Sequence, residues 1–288
     1  MQKTLSSLAV TMAAMSFTTL VPASLPAQSI WLDRRHDKAI DLEVLIPDFK
    51  NDDGGTITRS NSGLVIFSSL RLPLSEKVHF VGELPFAHGR SEIKSSRFNL
   101  DESTSESAIG NPYLGLEMRG QNPAFFGEIG VRLPLASEDD DLSMSTGLFT
   151  DVDRLEAFFP KILSITGMAN VHHVDKSGFA IRLRGGPSLL INTDKDEFED
   201  ASELFIGYSA QLGYESEPVS VIGGFTGRAS LTEEDVDYSE RSVHQLGFAA
   251  SFGLGTVRPG VHLRLPVDED MKDTMDFVLG FHLGVRLN

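Results

Sequence analysis

Serine and histidine are the side chains of this sequence that could carry nucleophilic chemistry. Ser242 lies two positions before His244, so in an extended strand both side chains lie on the same face. A hydroxyl beside an imidazole base is an arrangement that enzymes use to cleave acyl esters. His172 and His173 are adjacent, so they would point to opposite faces of a strand and cannot share a site. The sequence has no His-Glu-x-x-His, Gly-x-Ser-x-Gly or phosphate-loop motif, so Ser242 and His244 are a weak hydrolytic candidate.

Composition excludes other classes of function. The 288 residues include no cysteine, which rules out a disulfide framework and thiol chemistry. The formal net charge of -16 argues against nucleic acid as a partner. We expect neither a cofactor nor a metal site.

The C-terminal residues show what kind of element positions these side chains. From Met275 to Leu287 every second residue is apolar, and the residues between them include His282 and Arg286. A period of two over about thirteen residues predicts a strand with one apolar and one polar face. Strands of soluble sheets usually have about five or six residues, whereas a strand that spans a membrane needs about nine to eleven.

The N-terminal residues favour export from the cytoplasm. Lys3 precedes an uncharged apolar stretch from Leu5 to Leu20, and residues 22–27 are small and turn-prone. This is the pattern of a secretory signal, and we predict cleavage after Ala27. The alternative is an uncleaved anchor helix. We therefore divide the chain into a signal peptide (1–27), a short periplasmic segment (28–37) and a barrel (38–288).

Twelve strands are predicted, which gives an all-β fold, a transmembrane antiparallel up-and-down β-barrel of the Gram-negative outer membrane. Short turns follow the even-numbered strands and longer polar segments follow the odd-numbered ones, as in outer-membrane barrels, whose short turns face the periplasm. The expected partners are outer-membrane lipid, lipopolysaccharide, small solutes and, during biogenesis, the barrel assembly machinery. The predicted strands are 38–46, 62–74, 77–87, 108–119, 124–135, 161–173, 178–191, 202–214, 218–229, 241–253, 256–267 and 275–287.

Acidic residues concentrate in the long segments, for example in Glu138–Asp141 and Asp268–Asp270. None of these runs has the spacing of an EF-hand loop with its central glycine. We interpret them as solvated loops. Binding of divalent cations at the lipopolysaccharide surface and adaptation to a salty environment are the alternatives.

Strand phase predicts which side chains face the lumen. A charge on the lipid face near the midplane would cost about 2–4 kcal/mol, so the charged face of each strand is assigned inward. The residues predicted to line a pore are Arg71, Glu83, Asn111, Glu117, Arg119, Glu128, Arg132, Arg182, Arg184, Arg228, Arg264 and Arg286. Arginine outnumbers acid in this set. Either the charges pair across strands and fill a narrow lumen, or a surplus of arginine favours anionic solutes.

One long segment contains a predicted helix. Thr150, Asp151 and the residues to Phe159 have the pattern of a capped short helix that ends at Pro160. We expect it to pack on the rim of the barrel. Insertion into the mouth as a constriction is the alternative.

Two neighbouring stretches resemble a known family. They are Phe80 to Ala87, which includes Leu84-Pro85, and Ile109 to Glu117, which begins with Ile-Gly-Asn-Pro. This pattern is similar to that of the outer-membrane barrels grouped as putative transporters of the phenol meta-degradation pathway, and the match covers about 40 residues. The resemblance implies a pore or uptake channel for small, often hydrophobic molecules, and it implies no catalytic residues.

Three functions therefore remain open. The favoured one is a narrow, passive, porin-like channel for small solutes. The second is a non-transporting structural or surface-interaction barrel with acidic extracellular loops, and the third is an outer-membrane lipid hydrolase.

The alternation of loop lengths predicts the topology of the barrel. The loops that contain Asp139–Asp141 and residues 194–200 should face outside, and the turn Asp175–Ser177 should face the periplasm. The absence of native cysteine makes single-cysteine labelling of whole cells specific. An impermeant reagent should label a cysteine at position 196 and spare one at position 176, and the reverse result would overturn this topology.

Overall fold

The computed structural model describes Ser29, Trp31 and residues 38–53, 56–95, 97–122, 124–194, 202–232 and 237–287. The predicted signal peptide lies outside the described residues.

The described residues form a closed antiparallel barrel with twelve strand positions, as predicted. The first strand pairs with the last and with the third, and the third pairs with the fourth, which closes the ring. β5 and β6 follow each other along β4 and share one position, and β2 is a two-residue ladder in a loop. The strands are β1 (Ala39–Phe49), β2 (Asp52–Asp53), β3 (Thr58–Pro73), β4 (Val78–Ser95), β5 (Leu100–Ile109), β6 (Tyr113–Arg119), β7 (Phe125–Arg132), β8 (Ile162–Val174), β9 (Phe179–Asn192), β10 (Ser202–Glu215), β11 (Val219–Ser230), β12 (Ser242–Phe252), β13 (Val257–Pro266) and β14 (Met275–Arg286).

Side chains alternate between a lipid-facing and an interior surface. On β7, Phe125 and Ile129 are exposed on the outside, whereas Glu128 and Arg132 are almost completely buried inside. On β1, Ile40 and Leu42 are exposed outside and Glu43 is buried inside. Because successive residues of a strand point to opposite faces, this register keeps the buried charges out of the hydrocarbon.

The connections have different lengths at the two rims. We call the rim with the connections 74–77, 120–124, 175–178, 216–218 and 253–256 the short-turn rim, and the opposite one the long-loop rim. In one short turn the Asp175 carboxylate accepts hydrogen bonds from the Ser177 hydroxyl and from the amides of Ser177 and Phe179, which lowers the pKa of Asp175. Gly178 follows with a φ of +91°, a conformation that favours glycine.

Two predicted boundaries are wrong in the same region. β4 and β5 continue as a paired hairpin through residues expected to form a loop, with Ser91 opposite Thr104. Apart from Ile93 and Leu100, the side chains of this extension are polar on both faces, so no apolar alternation marks it as strand. The predicted strand 108–119 is interrupted at residues 110–112, where the chain binds a segment inside the barrel instead of continuing the ladder.

The described connections contain three helical segments. They are α1 (Asp141–Thr150), a 3₁₀ helix (Val152–Ala157) and α2 (Glu269–Thr274). No helix among the described residues is long and apolar enough to cross a membrane. The expectation that the helix near Asp151 packs on the rim is wrong, because α1 folds into the barrel against β3 and β4, and the 3₁₀ helix packs inside between α1 and β11.

The free-energy cost of a charged substitution on the lipid-facing surface should depend on its depth in the membrane. Ile129→Arg places a guanidinium on the outer face in the middle of β7, where Ile129 is 53% exposed, and should lower the free energy of unfolding by about 2–4 kcal/mol. Leu74→Arg is the matched control, because Leu74 is 63% exposed in a turn at the rim and should cost about 0–1 kcal/mol. Denaturant titration in lipid vesicles measures both, and equal losses would contradict the assigned membrane position.

Candidate functional site

The interior of the barrel is the candidate site, and residues 136–160 occupy much of it. We call this segment the plug. Its Met144, Ala157 and Phe158 are buried against Phe67 and other apolar residues of the wall, and the ring of Phe158 meets that of Phe67 edge-on with centroids 5.8 Å apart. α1 approaches the wall so closely at Gly89 that a side chain there would overlap the helix. The hydrophobic effect therefore holds the plug to the side of the barrel formed by β1, β3 and β4.

Asn111 ties the plug to the break between β5 and β6. Its amide nitrogen donates to the carbonyl oxygens of Glu156 and Phe159, at 3.0 and 2.6 Å. Its amide oxygen accepts from the backbone N–H groups of Leu135 and Ala136, both at 2.8 Å. One buried side chain thus binds both ends of the plug, and this accounts for the interruption of the predicted fourth strand.

Arg154 of the plug is the centre of a buried ion network. Its guanidinium donates to Glu83 on β4 at 2.7 Å and to Glu43 on β1 and Asp151 in the plug, both at 2.5 Å. It also lies over the ring of Phe67, 3.4 Å from the centroid. A buried guanidinium is tolerated when carboxylates surround it in this way, and removing one partner from such a group typically costs about 3–5 kcal/mol.

Arginines of the wall complete the network from the other side. Arg264 donates to Glu43 at 2.7 Å and lies 3.0 Å from Asp151. Arg132 donates to Glu83 at 2.5 Å, and Arg228 donates to Glu156 at 2.7 Å. The wall and the plug are therefore joined by alternating positive and negative charges.

The expected surplus of arginine is not found once the plug is included. Among the described residues, eight carboxylates and six guanidiniums are buried. Several of these carboxylates belong to the plug, or to β1 and β10, and were not in the predicted set. Among the described residues inside the barrel, buried carboxylates therefore outnumber buried guanidiniums. The buried acids are Asp41, Glu43, Glu83, Glu117, Glu128, Asp151, Glu156 and Glu215, and the buried bases are Arg71, Arg132, Arg154, Arg228, Arg258 and Arg264.

The remaining predicted residues lie in two smaller networks or at the rim. Arg71 and Glu117 form a buried ion pair, and the Tyr113 hydroxyl donates to Glu128. Arg182 donates to Glu215 at 2.9 Å, and His172 lies 3.1 Å from the same carboxylate. Arg184 is partly buried and lines interior cavities described below. Arg119 is partly exposed near Glu117, and Arg286 is exposed at the end of β14. That these residues line a conducting pore stays a prediction.

Sequence reasoning missed four residues of the central network, Glu43, Asp151, Arg154 and Glu156, as functional residues. A signal for Glu43 was present, since the alternation that places Ile40 and Leu42 outside also places Glu43 inside. The other three lie in a loop helix, whose sequence contains no information on which wall residues it meets.

Two residues that precede the barrel also lie inside it. Trp31 is buried against Ala249, and its ring covers Gly247 on the inner face of β12. The Ser29 hydroxyl accepts a hydrogen bond from Arg264 at 3.1 Å. Ser29 and Trp31 therefore fill part of the lumen next to the central network.

The interior wall opposite the apolar side of the plug carries small side chains. Two cavities of about 30 Å³ each lie there, one beside Asp153 and Glu156 of the plug and one nearer the short-turn rim. Both are lined by Arg184 and Ser209, so they are neighbours along the barrel axis. The small inward residues of β8–β11 include Ser164, Thr166, Ser188, Gly207, Ser209, Gly224 and Thr226.

The hydrolytic candidate lies elsewhere and has different partners from those expected. His244 faces outward at the long-loop rim, 2.9 Å from Asp268 and 2.6 Å from the Tyr208 hydroxyl. Ser242 donates to the carbonyl oxygen of Tyr238 and not to His244. The structure thus does not bring Ser242 and His244 together as a nucleophile and base.

Comparison with known proteins identifies the fold and not the family. No family model matches the chain, and no curated protein matches it. The COG4313 outer membrane channel from Pseudomonas putida F1 is similar in structure, with a TM-score of 0.58 and 10% identity over 90% of this chain and 99% of that one. The translocator domain of the autotransporter NalP from Neisseria meningitidis has a TM-score of 0.53 and 9% identity, over 89% and 91% of the two chains. At these identities the similarity shows a shared outer-membrane barrel fold.

The ion network predicts that the plug depends on Arg154. Arg154→Met keeps most of the side-chain volume but leaves Glu43, Glu83 and Asp151 without this cation, so the plug should detach while the barrel stays folded. Limited proteolysis should then cleave within residues 136–160 at least tenfold faster than in the wild type. Arg90→Met is the matched control, because Arg90 pairs with Glu92 on the surface, where an ion pair contributes little. Unchanged protection of the plug in Arg154→Met would contradict the role of the network.

Proposed function

We propose that this protein is a narrow passive channel of the outer membrane, closed by its plug in the conformation described. The observation that carries the proposal is the unequal attachment of the plug. Its apolar side is packed on β1, β3 and β4, whereas on the opposite side Glu156 binds Arg228 of β11 and Asp153 binds Gln245 of β12. Water can replace those polar contacts at small net cost, whereas it cannot replace the apolar ones.

The passage would therefore open along β8–β11. Small serine, threonine and glycine residues line this wall, and the two cavities mark the space that already exists. Displacement of the 3₁₀ helix would break the contacts of Glu156 with Arg228 and of Asp153 with Gln245. The two cavities would then be continuous with the long-loop rim. Twelve strands are intermediate between barrels filled by side chains and wide porins, which suits a passage for small solutes.

Two further observations support the outer-membrane location of the protein and its function as a channel. A long lipid-facing belt of exposed aliphatic and Phe side chains with charges buried inside is what an outer-membrane barrel requires. The structural similarity to a protein described as an outer membrane channel supports the channel over other uses of the fold. Membership of the phenol meta-degradation group remains part of the proposal, carried by the Leu84-Pro85 and Gly110-Asn111 stretches.

The second candidate is a barrel that does not transport. It is favoured by the extent of the ion network and by the size of the cavities, each of which holds about two water molecules. On this hypothesis the plug is a permanent part of the core. A lipid hydrolase is the least favoured function, because the Ser242 hydroxyl donates to the Tyr238 carbonyl oxygen and not to His244.

Conductance in planar bilayers decides between the first two candidates. The wild type should show rare, small openings, and Arg154→Met should raise the open probability at least tenfold, because the plug loses its central cation. Arg90→Met should behave as the wild type. If proteolysis shows that the plug of Arg154→Met is released and the protein still conducts no current, the channel proposal fails and the non-transporting barrel is supported.

A further inference from the structure

The cavity nearer the short-turn rim has the features of a small binding site. It is lined by Asn170 and His172 of β8, Arg182 and Arg184 of β9, and Ser209 and Gln211 of β10, together with Phe126 of β7. Val171 and Leu183 border it from positions whose side chains have the lipid-facing phase. Cross-strand register explains this assembly. Asn170 is opposite Arg184, which is opposite Ser209, and His172 is opposite Arg182, which is opposite Gln211. Side chains on one face at opposite positions lie about 5 Å apart, so two adjacent rows surround one space.

Two of these side chains hold unused donors. Asn170 and Gln211 are 6% and 2% exposed, and among the described residues neither the Asn170 Nδ2 nor the Gln211 Nε2 atom has a hydrogen-bond acceptor. A buried donor without an acceptor costs about 1–3 kcal/mol, and native proteins usually satisfy such groups. Both donors line the same cavity, so a ligand that occupies it should offer oxygen acceptors.

The charged side chains around the cavity indicate whether the acceptor oxygens of a ligand would be neutral or anionic. Two guanidiniums and an imidazole line it, and no carboxylate does. Glu215 binds Arg182 and His172, and Glu128 interacts with Arg184 while it accepts a bond from Tyr113. The neighbouring cavity beside the plug differs, because Asp153 and Glu156 line it together with Arg184 and Arg228. The lining of the cavity below the plug is therefore less acidic than the lining of the cavity beside it, and it favours an anionic acceptor more.

We propose that Asn170, Gln211 and Arg184 form a binding subsite for the carboxylate group of a small solute, directly below the plug. A volume of about 30 Å³ accommodates about two water molecules, which is close to the size of one carboxylate. Arg184 supplies the charge, and the two amides supply donors from the strands on either side of it. This inference rests on the channel proposed above, since the subsite would give the passage a preference for monocarboxylates. Binding to the subsite can be measured without measuring conductance.

Binding of acetate to the detergent-solubilised full chain tests the subsite directly. Titration followed by saturation-transfer NMR should show saturable binding of acetate, and acetamide, which has the same shape without the charge, should bind at least tenfold more weakly. Gln211→Leu should weaken acetate binding about three- to tenfold, and Gln121→Leu, the same change at an exposed position of the short-turn rim, should leave it unchanged. Folding of each variant is checked by heat-modifiable gel mobility.

An isosteric variant covers the case in which Gln211→Leu fails to fold. Asn170→Asp keeps the shape of the side chain and adds a negative charge to the cavity, so it should abolish acetate binding at neutral pH. Absence of saturable acetate binding to the wild type, or equal binding by the wild type, Gln211→Leu and Asn170→Asp, would overturn the subsite. Acetate binding that follows these variants in a protein that conducts no current would support the subsite and refute the channel.

Discussion

The pairing of buried charges in a narrow, closed lumen is the constraint on which the rest of the structure depends. Arg154 brings a guanidinium from a loop into the middle of the barrel, where Glu43, Glu83 and Asp151 surround it. Each of these carboxylates would be costly alone, and Glu43 and Glu83 also bind arginines of the wall. Barrel and plug therefore stabilise each other, and neither has its charges satisfied without the other.

The division of the lumen into an apolar and a polar half follows from this arrangement. Phe67, Met144 and Phe158 form a small hydrophobic core between the plug and one side of the wall. The charged side chains of the central network meet in the middle of the lumen. On the side of β8–β11, small polar residues lie between Arg182, Arg184 and Arg228. A protein with this division can keep its plug attached at one side while the opposite side opens, which is how the same network can serve both stability and gating.

The polar half also shows that the two arginines of β9 are not equivalent. Arg182 is held by Glu215, whereas Arg184 lines both cavities. Strand phase assigned both of them inward and could not separate them, because the acid that binds Arg182 comes from β10. The selectivity proposed for the passage therefore depends on Arg184 and on the side-chain amides of Asn170 and Gln211 more than on the number of inward arginines.

The sequence by itself determined the barrel, and the tertiary structure decided what fills it. Alternation of apolar and polar residues predicted the twelve strand positions, the lipid face and the segregation of long and short connections, because these depend on local period and on the exclusion of charge from hydrocarbon. The hairpin of β4 and β5 was missed where both faces are polar. The position of the plug could not be predicted, because it depends on contacts such as that between Arg154 and Glu43, 111 residues apart. Local pattern specifies which face a side chain takes, whereas the partner that neutralises it is set only when the closed barrel brings distant strands and a loop together.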